Sequence, residues 1–532
     1  REIPANDEDS RASRITSYLN MMDEMVEGQM EKLRTSLFEA GSEITRYFEM
    51  LPESPLKAMY TAMQNARDPQ ERARLQALLR EKIRPGAIDV NIMTKLDKDK
   101  MSRGKALPPV FSDAMSALRG YANSRLQSSL ILSAGMNRRL FGYLAEFSDF
   151  FPDEQGEIRK RIILKVSDFR SAMLQGKLLA RKGLWVSEYR IESGLNCGGH
   201  AFGGKGTLLG PVLEDFAEKR DALASQLHEV WAGAMAELGR IVPQEKPMVR
   251  VTVQGGIGTA AESELLEKEY RVDGTGWGSP FLLVPDVVNI PEDHLRKIQK
   301  AGENDVHLSN ASPLGVPFWC LKNSSSEELR ISRIEKGKPG SACPKGYLVS
   351  NTEFTKVPIC TASRAYQRRK LSSLGDSPAT LDQRRFLEEE ITDKACICHD
   401  LAGSATVPNE IDPSAQTAVC CGPNTVYFSR RAKLWEMVDH IYGRAHLPIT
   451  SDRPHMFLKE LSLHLDRMKQ EVERRGRSLV EARPRSTDEV KENLLGGIRH
   501  YRNLASRLAA GTKDEFLAKL ESLRGELDRI ID

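Results

Sequence analysis

KGLWVSEYRIESGLNCGGHAF, running from Lys182 to Phe202, reads as a buried strand that delivers a glycine turn and a histidine to one point. Leu184, Trp185, Val186 and Tyr189 are strand formers, and Gly194, Gly198 and Gly199 then free the backbone from the steric limits on other residues. His200 stands where that strand ends. In a βα barrel the catalytic groups sit at the carboxyl ends of strands, which makes His200 a candidate acid or base. The competing reading leaves Gly198 and Gly199 as a plain turn and His200 as a cap of the next segment.

Working outward, strand and helix patterns alternate on both sides. Upstream, Ala87 to Met93 reads as a short strand with Asn91 near its end, and Pro109 to Arg125 as a helix with Ser112 as its cap. Ser128 to Ala134 is the next strand, closed by Gly135, and Leu140 to Phe147 the helix after it. Arg161 to Val166 is a third strand with Lys165 and Ser167 at its carboxyl end, followed by a helix over Ser171 to Ala180. Downstream, Val212, Phe216, Leu223, Leu227, Val230 and Trp231 stripe a helix from Val212 to Leu238. Met248 to Val253 then runs into Gln254-Gly255-Gly256-Ile257-Gly258-Thr259 and a short helix through Glu262 and Leu266. Tyr270 to Asp273 reads as a last strand, running into Gly274-Thr275-Gly276-Trp277-Gly278-Ser279-Pro280-Phe281. This alternation predicts a parallel sheet with helices outside it. Two successive glycine-rich turns at strand ends suit a phosphate held by backbone N–H groups and a helix amino terminus.

The flanks differ from this core. Residues 1 to 85 carry apolar residues at helical spacing, as at Ile15, Tyr18, Leu19, Met22 and Met25, and Pro85-Gly86 stop them. Residues 86 to 290 hold the strand–helix pattern. From 291 to about 450 the chain reads as loops rich in Ser, Pro and Gly, and from 451 to 532 helical periodicity returns, with Phe457, Leu461, Leu465 and Met468 on one face.

At 532 residues, 40% hydrophobic and 28% charged, the chain is long enough for a large core and further domains, and large-scale disorder is excluded. A net charge of +3 argues against nucleic acid or an anionic membrane as the main partner. No apolar run approaches the roughly 20 residues that span a bilayer, and the amino terminus is charged where a secretory signal is apolar, so a cytoplasmic protein is expected. The first residue is Arg1 and not methionine, which reads as a processed or truncated product.

Six of the eight cysteines fall between Cys343 and Cys421. Cys396-Ile397-Cys398 and Cys420-Cys421 are close pairs, and Cys343 and Cys360 reach the same point if the loops fold back. Thiolates clustered in this way suit an iron–sulfur cluster or a four-thiolate zinc. Without a CxxC spacing the choice stays open, and buried, unliganded cysteines are the alternative.

The order of these signals resembles the nitronate monooxygenase family of flavin barrels, formerly 2-nitropropane dioxygenases, which includes FMN-dependent enoyl reductases. Cys197-Gly198-Gly199-His200 resembles its sixth strand's Gly-Gly-His end, Gly255-Gly256-Ile257 its seventh strand's Gly-Gly-Ile, and Gly274-Thr275 with Phe281-Leu282 its eighth strand's end. Val90-Asn91 and Lys165-Val166-Ser167 resemble the ends of its third and fifth strands. The resemblance implies a (β/α)8 barrel whose first two strands are missing or replaced by helices. It implies that Gly198, Gly199, Gly255, Gly256, Ile257, Gly274 and Thr275 line the FMN site with its phosphate, that Asn91 and Lys165 contact the flavin, and that His200 is the acid or base.

The resulting expectation is an FMN-dependent oxidoreductase acting on a small organic substrate. A [4Fe–4S] cluster on Cys343, Cys360, Cys396, Cys398, Cys420 and Cys421 would pass electrons to or from a partner. Two other expectations compete: a non-redox barrel binding a phosphorylated metabolite, with zinc in the cysteine loops, and a barrel subunit whose helical tail docks on a larger complex.

Overall fold

The structure is a computed structural model and describes all residues except 1–2, 5–6, 93–96, 103–104, 134, 376–379, 420, 451, 478–484, 509 and 532. It divides into two compact units, residues 1–191 with 218–252, and residues 192–217 with 253–532.

The first unit opens with four helices: α1 (Ser10–Thr35), α2 (Glu43–Glu49), α3 (Pro55–Asn65) and α4 (Pro69–Lys82). Ser42, Ser54 and Asp68 cap the last three by accepting an N–H of the first turn, and Pro55 and Pro69 stand at the first helical position, where a missing N–H costs nothing. Their apolar faces close a separate small core of Leu33, Ile44, Phe48, Tyr60, Met63, Leu75, Leu79 and Ile83, with the Phe48 and Tyr60 rings stacked at 5.4 Å.

The strands follow. β1 (Val90–Ile92) is shorter than the segment read from the sequence, and Met93 of that reading lies outside the described residues. A small hairpin, β2 (Met101–Ser102) with β3 (Lys105–Ala106), precedes α5 (Asp113–Ala122). Ser112 stands at the N-cap of α5 as expected, but its hydroxyl makes no capping bond. β4 (Ser129–Leu132), α6 (Arg138–Leu144), β5 (Arg161–Val166), α7 (Phe169–Ala180), β6 (Val186–Glu192), α8 (Leu209–Glu237) and β7 (Arg250–Gln254) alternate as the pattern predicts. β1 pairs with β4, β4 with β5 and β5 with β6, all parallel. Leu130, Leu132, Ile162, Ile163, Leu164, Val166, Tyr189 and Ile191 are buried, the near-continuous apolar run of strands covered on both faces.

The second unit begins at the ends of β6 and β7 and adds α9 (Ala260–Tyr270) and β8 (Gly274–Gly276). The six strands lie in chain order, β1-β4-β5-β6-β7-β8, with no reversal of the kind that marks a doubly wound sheet. That is the order of a barrel wall; among the described residues no pairing of β1 with β8 is found, so the structure shows a parallel α/β sheet without the closure expected of a (β/α)8 barrel. The reading of Tyr270 to Asp273 as a strand is also corrected: Tyr270 ends α9, Arg271 turns the chain in the left-handed region at φ 54°, and the strand is the glycine segment itself.

The stretch read as irregular after residue 291 contains six α-helices and a hairpin among its loops. It carries α10 (Glu292–Lys300), the antiparallel hairpin β9 (Val306–Ser309) and β10 (Phe318–Leu321), α11 (Ser325–Glu335), α12 (Arg364–Leu374), α13 (Leu381–Thr392), α14 (Ile397–Thr406) and α15 (Leu434–Ile441). The carboxyl-terminal helices α16 (Met456–Arg477), α17 (Arg485–Leu504) and α18 (Ala510–Ile531) match the periodicity. Leu461, Leu465, Leu494, Tyr501, Leu520 and Leu527 are each fully buried among them.

Candidate functional site

Within the second unit the chain leaves β6, β7 and β8 through glycine-rich turns that converge on one cavity of about 370 Å³. Glu192, Asn196, Cys197 and Gly198 line it from β6, Gln254, Gly255, Gly256 and Ile257 from β7, and Gly276, Trp277, Gly278 and Ser279 from β8. Ligand cavities span about 300–1,000 Å³, and this one falls within that range.

The turn after β7 is fixed from three sides. Gly255 lies at φ +115°, where a Cβ would stand 2.7 Å from Cβ of Ser193, and Gly256 at φ +80°, where a Cβ would overlap the Asn196 carboxamide. Arg453 donates through Nη2 to the Gly256 carbonyl at 2.8 Å, and Asn424 donates through Nδ2 to the Ile257 carbonyl at 2.8 Å. Gly258 N–H donates to Glu262 at 2.8 Å, and His440 meets the Gly258 carbonyl through Nε2 at 2.9 Å. Because Nδ1 of His440 accepts from Leu447 N–H, Nε2 carries the proton; burial, the largest influence, holds the imidazole below its ordinary pKa.

With the carbonyls anchored, the N–H groups of Gly255, Gly256 and Ile257 have no acceptor among the described residues. They precede α9, whose N-cap Thr259 accepts from Glu262 N–H at 3.2 Å. Consecutive free N–H groups before a helix amino terminus form an anion-binding concavity. Asn196 Oδ1 is buried without a partner on the same wall, while its Nδ2 donates to the Met456 carbonyl. This set fits the phosphate end of a flavin mononucleotide: N–H donors for the phosphate oxygens and an unused amide oxygen for a ribityl hydroxyl.

The floor rests on Glu460. Its carboxyl accepts from the Ser193 hydroxyl at 2.6 Å, from Leu209 N–H at 2.8 Å and from the Tyr501 hydroxyl at 3.3 Å. Burial pushes its pKa up to about 7.

Of the residues singled out in the sequence, Gly198, Gly255, Gly256 and Ile257 line the cavity. Gly274 and Thr275 form β8 beside it, and the Thr275 hydroxyl accepts from the Trp277 indole at 3.3 Å. Gly199 and His200 turn away: Gly199 O accepts from Trp319 N–H, and the His200 ring meets Ser312 Oγ through Nε2 at 2.7 Å and lies edge-on to Phe318 at 5.0 Å. His200 is not among the cavity-lining residues. Asn91 and Lys165 belong to the first unit, Asn91 exposed in β1 opposite Ile131 and Lys165 in β5 opposite Arg190.

Asn196, Gln254, Glu262, Asn424 and Arg453 escaped the sequence reading. Only Glu262 left a local signal, standing three residues after Thr259 in capping-box spacing. A larger cavity of about 540 Å³ includes Lys268, Arg507 and Lys519 in its wall, but none of its lining residues is a glycine or belongs to a strand.

Cys343, Cys360, Cys396 and Cys398 neighbour one another elsewhere in this unit, Cys360 and Cys396 buried and the other two half-buried. Cys421 is 1% exposed in an apolar cluster with Val419, Val426 and Tyr427, and Cys420 lies outside the described residues. Among the described residues no three His, Cys, Asp or Glu side chains stand ready to hold a metal ion. None of the described helices is long and apolar enough to cross a membrane.

No family model and no curated protein matches the chain. Among solved structures it is similar to the enoyl reductase domain of MlnA from the macrolactin biosynthesis cluster of Bacillus amyloliquefaciens, at 14% identity over 76% of this chain and 96% of that chain. The TM-score is 0.35, at which the likeness carries no argument.

Proposed function

We propose that the chain is an oxidoreductase that uses FMN, with the phosphate held by the N–H groups of Gly255, Gly256 and Ile257 at the amino end of α9. One observation carries the reading: three successive residues whose N–H groups have no acceptor among the described residues line a cavity of about 370 Å³, while the carbonyls of Gly256 and Ile257 are tied down by Arg453 and Asn424. When bound, the flavin would supply hydride or electron exchange with a small organic substrate. The chain's own part is to hold and orient. The Trp277 indole is pinned by its bond to Thr275, and its ring lies edge-on to His440 at 5.9 Å, which keeps an apolar wall beside the glycine turns. Glu192 accepts from Gln254 Nε2 at 2.8 Å, which fixes both polar groups on the opposite wall.

Titration of the purified chain with FMN and with riboflavin, with inorganic phosphate as competitor, tests the reading. Binding of FMN that phosphate weakens, with riboflavin bound at least tenfold more weakly, is the expected result. Equal binding of both flavins overturns the phosphate assignment, and no flavin binding overturns the oxidoreductase. Binding of phosphate alone returns the cavity to the non-redox, phosphorylated-metabolite reading.

A further inference from the structure

A further cavity of the second unit, of about 220 Å³, is lined by the loop 203–206 that follows β6, by His464 and Arg467 of α16, and by Val490 of α17. The loop reads Gly-Gly-Lys-Gly, and two of its glycines are needed for close approach. Gly206 stands at φ +79°, where a Cβ would lie 2.9 Å from Val490 Cγ1, and a Cβ on Gly203 would lie 2.9 Å from Nη1 of Arg467. The Arg467 guanidinium is thus laid against the loop backbone. Gly203 O accepts from Gly206 N–H at 3.2 Å, and Lys205 O accepts from Asn493 Nδ2 at 2.9 Å. The N–H groups of Gly203, Gly204 and Lys205 have no acceptor among the described residues.

The α16 wall carries two buried polar atoms that the fold leaves unused. Nε2 of His464, a residue 4% exposed, and Nη1 of Arg467 both lack a hydrogen-bond partner among the described residues. No carboxylate pairs with Arg467 among them either. Glu489 of α17 is taken by Lys205 Nζ at 2.7 Å, and Glu471, one turn further along α16, lines the cavity without pairing to Arg467. Buried charges are ordinarily paired, because an ionised group taken out of water without a counter-charge is costly. Burial, and then the Arg467 charge, hold the His464 imidazole down at about 3, so the ring is neutral near pH 7 and adds a polar nitrogen without a second charge.

We propose that this cavity is a second anion site, in which the Arg467 guanidinium and the His464 ring hold a small oxyanion: the phosphate, sulfate or carboxylate group of a ligand other than FMN. A guanidinium offers such a group two parallel N–H donors, and the charge it brings is the one Arg467 lacks. At about 220 Å³ the cavity lies below the range of whole-cofactor pockets and has room for a group of this size. It shares no lining residue with the cavity at the glycine turn after β7, so the two sites are separate.

Thermal melts of the full chain and of Arg467→Met, first in a buffer without oxyanions and then with millimolar inorganic phosphate, sulfate or acetate, test the assignment. Without oxyanions the variant is expected to melt at or above the wild-type temperature, since it loses a buried charge that has no partner. An added oxyanion should raise the wild-type Tm by more than that of the variant. Phosphate bound at Gly255 to Ile257 and the general effect of salt are common to both chains and cancel in the difference, whether or not FMN binds. A response to phosphate and sulfate alone assigns a tetrahedral group, and a response to acetate extends the site to carboxylates. His464→Phe keeps the packing and removes Nε2, and calorimetry should show phosphate bound at this site at least tenfold more weakly. Equal shifts in wild type and Arg467→Met overturn the site, as does a phosphate isotherm that His464→Phe leaves unchanged. An Arg467→Met chain far less stable than the wild type shows a guanidinium satisfied within the fold, and overturns it too.

Discussion

Arg453 and Glu262 meet 191 positions apart in sequence as a two-pronged buried pair, Nη1 on Oε1 at 2.9 Å and Nη2 on Oε2 at 2.8 Å, with side chains 7% and 4% exposed. Burial alone would push the Glu262 carboxyl up, but the charges of Arg453 and His455 and the hydrogen bonds from Arg453 and Gly258 outweigh it, and its pKa lies below the ordinary value. Both ends also hold backbone: Glu262 accepts from Gly258 and Met456 N–H groups, and Arg453 reaches the Gly256 carbonyl. Removing one partner strands a buried charge, at a cost of about 3–5 kcal/mol. Arg453→Met is expected to lower the unfolding free energy read from urea denaturation by that amount and to weaken FMN binding. The double variant Arg453→Met/Glu262→Met should recover part of the stability and none of the binding.

Glu460 makes stability depend on pH. Its folded pKa of about 7 lies above the ordinary 4.5, so between these values the folded chain holds a proton that the unfolded chain has lost. The stabilisation is complete below about pH 4.5 and is lost as pH rises through about 7, on the order of 3 kcal/mol for this group. Denaturant unfolding from pH 5 to 8 should show this slope in the wild type, and Glu460→Gln should flatten it. An unchanged slope in the variant would place the titration elsewhere.

Gly176 in α7 is a packing requirement. A Cβ there would overlap the Tyr189 hydroxyl and stand 2.9 Å from Leu227 Cδ1. Alanine normally stabilises a helix interior over glycine by about 1 kcal/mol; here Gly176→Ala is expected to destabilise by about 1–3 kcal/mol through overpacking. Adding Tyr189→Phe removes the overlapping atom and should restore at least half of the loss. Thermal melts of the single and double variants measure both effects.

His200 is placed to hold a hairpin. Its Nε2 bond to Ser312 and edge-on contact with Phe318 lock the turn after β6 to β10, through the isolated bridge between His200 and Phe318. His200→Ala is expected to lose about 1–2 kcal/mol of stability while FMN binding stays within twofold. A proton-transfer role would instead appear as a shifted pH profile of turnover with stability unchanged.

How far the sequence led depended on the range of the forces involved. The run Arg161–Val166 was legible to the residue because a strand covered on both faces is a continuous apolar run. The Gly255-Gly256-Ile257 turn was legible because positive φ selects glycine locally. The helices between residues 291 and 450 were missed because they bury few side chains: α12 buries only Tyr366 and Gln367, so no apolar stripe marks it. Their caps were nonetheless written in the chain, with Ser324, Ser363 and Thr380 each accepting a first-turn N–H. Asn424 and Arg453 could not be read, since they reach Ile257 and Gly256 from 167 and 197 positions away.

The glycine turn itself allows a test that separates backbone geometry from chemistry. Gly256→Ala places a Cβ at φ +80° against the Asn196 carboxamide, whose Oδ1 has no partner and whose Nδ2 is engaged by Met456. The left-handed backbone costs an L-residue about 1–2 kcal/mol, and the overlap adds to it by pushing Asn196 toward the cavity. Loss of FMN affinity by at least tenfold is expected, with a smaller loss of stability. Asn196→Gly in the same chain removes the overlap but also the free Oδ1, so stability should return while affinity stays low. Recovery of both would mean that the carboxamide plays no part in binding and that the N–H groups of the turn act alone.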